Sequence, residues 1–291
     1  ISGLRKVVPD FSKSMVISDA SEDIYVEEAV RPKDAPILLI IEDNKSIRNF
    51  IKAELSSKYY VFEAADGLEG YVKAKEQLPD LIISDVMMPK IDGVELCRKL
   101  KADILTSHIP ILLLTAKADD ANAIIGYESG ADDYVAKPFS IKVLKARVEN
   151  LIKSRAQLKS RYIKEIETTQ EETYPENSID RKFLDRIVAI VDKDISNPEF
   201  DNKLLMQEIG LGKSQLYAKI KALTGQSVHE FIRTIRLKKA ANLLKDKPAS
   251  ISEIAYATGF NSLIYFSRCF KKQFGVTPTD FAQQTTPQGD E

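Results

Sequence analysis

The chain has 291 residues, 44% of them hydrophobic and 29% charged, with 42 Lys and Arg against 43 Asp and Glu for a net charge of −1. That composition excludes a disordered or fibrous polypeptide, and the length suits about two domains of ordinary size. The longest apolar run, Ile37 to Ile41, is far short of the roughly 20 residues a membrane span needs, while Cys97 and Cys269 lie too far apart for a zinc or disulfide framework and fit a reducing compartment.

Residues 1–35 mix polar, charged and apolar residues without a period, and read as a connector or the tail of an upstream domain. From Pro36 a regular alternation begins. The run ILLII precedes an amphipathic stretch at Ser46 to Leu55, then YYVFEA leads into a helical pattern ending near Leu78. DLIISD follows, with a helix from about Gly93 to Leu100, then IPILLLTA and a helix from about Asp119 to Ser129. DYVAKPF and a last helix from Ile141 complete the series. Short apolar runs alternating with amphipathic helices predict a parallel sheet covered on both faces. Five such units predict a doubly wound α/β fold, with the site beyond the carboxyl ends of the strands.

The final helix continues as a charged stretch toward Thr169, where TTQEETYPENS breaks it, so residues 156–179 read as helical extension and linker. From Ile179 only short helices are expected. Within them Ile209–Phe231 aligns with Thr258–Phe281 at an offset of 50, or 49 at the start, pairing Gly210 with Gly259, Gly225 with Gly275 and Phe231 with Phe281. Each copy reads as helix, Gly-containing turn, helix, Gly stop, so the second domain is expected to be all-α with two helix-turn-helix units. It is also the basic half: residues 180–285 hold 17 Lys and Arg against 11 Asp and Glu, and the rest of the chain 25 against 32. A polyanionic partner suits that half.

Four expected strands end in reactive residues: Glu42 and Asp43, Asp85, Thr115, and Lys137. A strand-end acid is commonly a solvated cap. Several carboxylates in one pocket, however, repel each other unless a cation joins them, and hard oxygen ligands favour Mg²⁺. An ionised Asp85 beside the metal is a competent nucleophile for a phosphoryl group. Lys137 and Thr115 can then neutralise or hydrogen-bond the phosphoryl oxygens.

IIEDN, DLIISDVMMPKIDG, LLLTA and GADDYVAKPF resemble the receiver domain of bacterial two-component response regulators over about residues 36–155. The resemblance implies a flavodoxin-like fold, phosphoacceptor Asp85, and Mg²⁺ ligands Asp43, Asp85 and the Met87 carbonyl, with Glu42 assisting. It also implies Thr115 and Tyr134 as a switch pair, moving when phosphorylation adds charge.

In the repeated domain, Leu216, Ile220 and Leu223, and likewise Phe266, Phe270 and Phe274, should pack inward at helical spacing. The opposite faces carry Ser214, Gln215, Ala218, Lys221 and Ala222 in one copy. In the other they carry Asn261, Ile264, Tyr265, Arg268, Lys271 and Lys272. Two such helices suit successive major grooves about 34 Å apart. The linking helix from about Val228 to Leu244, with Arg233, Arg236, Lys238 and Lys239, is expected to set the relative position of the units, and some of these basic residues to contact phosphates. GFNSLIYFSRCFKKQFGVTPTDF and QLYAKIKALTGQS resemble the AraC-type DNA-binding domain over about residues 180–285, leaving 286–291 as a tail. There are two departures. Ala218 stands where relatives commonly have Arg, and Ser262-Leu263-Ile264 replaces a polar, Pro-containing helix opening. Base readout by the first unit is therefore expected either to be weaker or to rest on Gln215 and Ser214.

The combination resembles the C-terminal part of a hybrid two-component system protein. It implies a cytoplasmic regulator, at the cytoplasmic end of an inner-membrane parent, rather than an enzyme. The partners implied are duplex DNA, a histidine kinase (in the same parent chain or separate), a second copy of the chain, and RNA polymerase. The chain itself offers a kinase only His108 and His229, which read as surface or capping residues, and no Gly-rich ATP lid. The alternative is a receiver-controlled protein-interaction module without specific DNA readout.

Overall fold

The structure, a computed structural model, describes residues 35–116, 130–167, 178–200, 202–246 and 250–285. The expected helix at Asp119–Ser129, nearly all of the upstream connector, most of the linker and the tail lie outside these residues. Five strands are present: β1 (Ile37–Ile41), β2 (Tyr60–Ala64), β3 (Leu81–Asp85), β4 (Ile111–Thr115) and β5 (Asp133–Ala136). They form one parallel sheet in the order β2-β1-β3-β4-β5, the doubly wound arrangement expected. Around it lie α1 (Lys45–Leu55), α2 (Gly67–Gln77), α3 (Gly93–Ala102) and α4 (Ile141–Glu167).

Alternation along each strand sends side chains to opposite faces. Leu38, Ile40, Ile83, Leu112 and Leu114 pack with Ile51 and Leu55 of α1 and Leu144 and Val148 of α4. Leu39, Ile41, Ile82, Ile111 and Leu113 pack with Ala74 of α2 and Leu96, Cys97 and Leu100 of α3. Side-chain caps start the helices that follow the strands. Asn44 Oδ1 accepts from the N–H groups of Ser46 and Ile47, Asp66 caps α2 and Asp92 caps α3. These caps satisfy otherwise orphaned donors beside the strand ends.

The second domain is all helical: α5 (Ile179–Lys193), α6 (Asn202–Ile209), α7 (Lys213–Thr224), α8 (Val228–Asp246), α9 (Ile251–Ala257), α10 (Leu263–Phe274) and α11 (Pro278–Thr285). The repeat is real in three dimensions. Units α6–α7 and α9–α10 each end on a glycine in the left-handed conformation, Gly225 at φ 74° and Gly275 at φ 80°, where a side chain would be strained. Helix α8 joins them by contributing Phe231, Ile232 and Ile235 to the first core and Leu237, Ala240, Ala241 and Leu244 to the second. Arg236 clamps the junction, donating to the carbonyls of Gly259 (3.0 Å) and Asn197 (2.7 Å). It is a structural tie between the units, as expected of the basic residues on this linking helix.

The 27-residue α4 leaves the sheet and packs on α7 and α8, so one rod belongs to both domains. At this junction His108 is 8% exposed. That corrects its reading as a surface or capping residue: the loop before β4 is covered by the second domain.

Packing also ties α3 to β3. A methyl on Gly93 would fall 2.1 Å from the Asp85 carbonyl oxygen and 2.9 Å from Val86 Cα. Overpacking against backbone typically costs about 1–3 kcal/mol. Gly93→Ala should therefore lower the urea stability of the α/β domain by about that much and displace the β3–α3 turn; an unchanged unfolding midpoint would count against this packing.

Candidate functional site

Parallel pairing sets the strand ends level. Ile41 pairs with Ser84, Asp85 with Leu114, and Thr115 with Ala136. The residues at or just past these ends, Glu42, Asp43, Asp85, Thr115 and Lys137, therefore share one rim although they are up to 95 positions apart. Lys137 Nζ donates to Glu42 Oε2 at 2.7 Å and to Asp85 Oδ2 at 2.9 Å. Glu42 is 1% exposed and Asp85 6% exposed, whereas Asp43 is open to solvent. One oxygen from each of Glu42, Asp43 and Asp85 lies within 4.8 Å of the others. All three donors are hard oxygens, so the set fits Mg²⁺.

Burial pushes the Glu42 carboxyl above its ordinary range, and Asp85 adds to this, although the hydrogen bond from Lys137 pulls the other way. For Lys137 burial works against the charge, but the bonds to Glu42 and Asp85 prevail and hold the ammonium above its usual value. One lysine thus incompletely neutralises the acidic rim, and a divalent cation there has charge left to satisfy. The Met87 N–H donates to Asp85 Oδ1 at 3.3 Å, which places that segment directly over the carboxylate. Thr115 is partly exposed at the end of β4, and Tyr134 in β5 is 38% exposed. Arg48, which the sequence reading missed, donates to the Glu42 carbonyl at 2.5 Å and steadies the acidic pair. Its signal was its position, six residues after Glu42 on the helix that Asn44 caps.

In the second domain Leu216, Ile220 and Leu223 are buried, as are Phe266 and Phe270, with Phe274 packed against the same core. Their opposite faces reach solvent. Ser214, Lys221, Asn261, Ile264, Arg268, Lys271 and Lys272 are exposed, and Gln215 and Ala218 are half-buried. Gln215 Oε1 accepts from the Gly212 N–H at 3.2 Å, so its carbonyl already serves the start of α7. Its amide NH₂ is the part that could face a base.

Comparison with known proteins agrees with this geometry. Residues 38–149 match the family described as response regulator receiver domain, and residues 205–284 match one described as helix-turn-helix domain. The chain joins a receiver domain to an AraC-type helix-turn-helix domain. It is 41% identical over 90% of its length to "Histidine kinase P4" of Formosa agariphila, but covers only 19% of that relative. It is 45% identical over 119 residues to the transcriptional regulatory protein AfsQ1 of Streptomyces coelicolor, covering 40% of this chain and 52% of that one. The chain thus spans about a fifth and about half of these relatives' lengths. Among solved structures, it is 32% identical to the receiver domain of the Pseudomonas aeruginosa sensor histidine kinase PA1611, solved with magnesium in its cleft; the match covers 41% of this chain and 98% of that one at a TM-score of 0.39.

The receiver meets the helix-turn-helix domain through a polar cluster around Lys219 of α7. Lys219 is fully buried. Its Nζ donates to Asp180 Oδ1 at 2.6 Å, Ser107 Oγ at 3.0 Å and His108 Nδ1 at 3.0 Å. Arg155 of α4 approaches Asp180 at 3.7 Å. Burial lowers Lys219 to about 8, against the pull of Asp180. Burial, then the Lys219 and Arg155 charges, holds His108 well below its ordinary value, so it accepts from Lys219 as the neutral imidazole. The sequence reading passed over Lys219 because a lysine between Leu216 and Ile220 looks like a rim residue; only a partner from another domain can bury it.

Within the receiver the carboxylate set should govern metal affinity. Asp43→Asn or Asp85→Asn is expected to weaken Mg²⁺ binding at least tenfold by isothermal titration, with the helical circular dichroism unchanged. Retained affinity in both would remove these groups from the ligand set.

Proposed function

We propose that this chain is a phosphorylation-regulated, sequence-specific DNA-binding transcription regulator of a two-component system, with Asp85 accepting a phosphoryl group from a histidine kinase. The observation that carries the reading is the Lys137 ammonium held between Glu42 and Asp85 beside Asp43. That pocket sits in the same chain as a basic domain with two reading helices. Bound Mg²⁺, held by Asp43, Asp85 and the Met87 carbonyl with Glu42 behind them, would supply charge neutralisation at the phosphoryl oxygens. An Asp85 carboxylate oxygen attacks phosphorus, the bond to the donor imidazole nitrogen breaks, and the imidazole leaves to take up a proton. Lys137 then exchanges a carboxylate partner for a phosphoryl oxygen, and the Thr115 hydroxyl donates to another. The added charge of roughly −1.5 to −2 is the input to the Thr115–Tyr134 switch pair.

On the output side, Ser214, Gln215, Ala218 and Lys221 of α7, and Asn261, Ile264, Arg268, Lys271 and Lys272 of α10, form the DNA face. Duplex DNA and a second copy of the chain are the partners, with RNA polymerase downstream and the cytoplasm as the compartment. Among the described residues no helix is long and apolar enough to cross a membrane.

The Lys219 cluster supports coupling between the two halves. It gathers the buried Lys219 with the half-buried Arg155 and Lys159 of α4 around one close carboxylate, Asp180, with Lys101 of α3 and Asp103 just past its end farther out in the same field. Asp180 belongs to α5 of the same domain as Lys219, and the receiver completes the pair through Ser107, which donates to Asp180 at 2.7 Å, and His108, which accepts from Lys219. A buried ion pair stripped of such partners is costly, which favours the docked arrangement. Because α7 is the first reading helix, docking sets its position relative to the receiver.

Three outcomes test the reading. Beryllofluoride, a phosphoryl analogue, should change operator affinity in a gel-shift titration, and Asp85→Asn should abolish that change; duplex binding absent at moderate salt in both states would favour a protein-interaction module. Asp180→Asn leaves Lys219 without its carboxylate, and should enlarge the radius of gyration in X-ray scattering and make DNA affinity insensitive to beryllofluoride. Docking should also follow pH. The undocked histidine titrates near 6.5 and the docked one well below it, so the undocked form takes up the proton and docking is lost as pH falls below about 6.5. Lys219 acts in the same direction, since docking strengthens as pH rises from about 8 toward its free value near 10.4. His108→Gln should flatten the acid limb of the scattering profile and leave the alkaline limb.

A further inference from the structure

Helix α10 opens in an unusual way for a surface meant to meet a polyanion. Ser262 caps it, and the next residues are Leu263, Ile264 and Tyr265. Ile264 is 76% exposed, the most exposed among the described large hydrophobic residues. An isoleucine so placed gains no burial within the chain and is a poorer helix former than a straight-chain residue. Leu263 and Tyr265 beside it are also exposed, and the rest of the outer face is cationic, with Arg268, Lys271 and Lys272 exposed along the same helix. An apolar tip followed by cations fits one kind of surface, a major groove, where the thymine 5-methyl is the apolar feature of the base edges and phosphates flank it.

Tyr265 is less free to read bases. Its hydroxyl accepts from Arg233 at 3.3 Å, and its ring lies 6.2 Å from that of Phe260. Ile264 therefore stands forward in the first turn, the part of a recognition helix that reaches base edges. Arg268 follows one turn later on the same side, about 6 Å along the axis, and Arg is suited to guanine O6 and N7. At about 3.4 Å per base pair the two side chains address positions roughly two steps apart. The corresponding positions of the first unit, Ser214 and Ala218, carry the opposite pattern, a polar residue followed by an apolar one.

Resting on the DNA-binding reading above, we infer that Ile264 is a specificity-determining residue that packs on a thymine methyl. The half-site of the second unit then contains a thymine about two base pairs from a guanine read by Arg268.

The test uses the full chain and an operator obtained by binding-site selection. Each thymine is replaced in turn by deoxyuridine, which removes only the 5-methyl group. One position in the second half-site should lose about fourfold in affinity, the value of one buried methyl. In Ile264→Ser that same replacement should have no effect, while Arg268→Ala should relax preference for a guanine two steps away. Ile264 is so exposed that the substitution should leave the fold intact, which an unchanged thermal midpoint verifies. Equal responses of wild type and Ile264→Ser at every uracil would overturn the inference and leave the DNA-binding reading standing. Absence of any duplex binding by the wild-type chain would sink both.

Discussion

The receiver depends on one electrostatic constraint: two nearly buried carboxylates, from strands that are neighbours only in space, share the ammonium of a third. Without Lys137 the Glu42 and Asp85 side chains would repel at close range in a poorly hydrated pocket. With it they are held together but not saturated, because Asp43 adds a third oxygen donor that Lys137 does not reach by hydrogen bond. The surplus of negative charge is what a bound cation would balance. The lysine makes it a place where a new anion can be received, since the ammonium can change partners without leaving. The glycine-tight β3–α3 turn and the capped helix starts hold the rim in shape around that charge balance.

The second domain answers a different need, presenting two similar helices from a small scaffold. Helix α8 does this by being half of each core, so neither unit is free to rotate on its own. Arg236 reinforces the junction by tying the turn of the second unit to the loop before α6. The two reading faces are nonetheless unlike. The first has short side chains, with Gln215 partly committed to capping its own helix, whereas the second projects Ile264 and Arg268. A duplicated scaffold with unequal faces suits an operator whose two half-sites differ.

Between the domains, the contact around the buried Lys219 is polar: Ser107 and His108 of the receiver bond to the Lys219–Asp180 pair of the second domain. These residues lie at the end of the sheet opposite Asp85. The chain therefore has a chemical site at one end of β4, at Thr115, and an output contact just before its other end, at His108, separated by the length of one short strand.

Much of this was legible in the residue order. Short apolar runs alternating with amphipathic segments specify a parallel sheet covered on both faces, because a strand buried on both sides cannot carry polar residues. Chemistry-bearing residues at the strand ends then have only one place to meet. The offset-50 repeat and its paired glycines likewise announced two helix-turn-helix units, since a helix stop in the left-handed conformation has a local sequence signature. What tertiary structure alone decided was who neutralises whom. That Lys219 is buried, that His108 is its acceptor and that Arg236 bonds Gly259 and Asn197 all follow from approaches between residues far apart in the chain. Periodicity records which face of an element is apolar, but a charged residue carries no mark of whether its partner is water or a side chain brought in by a distant part of the chain.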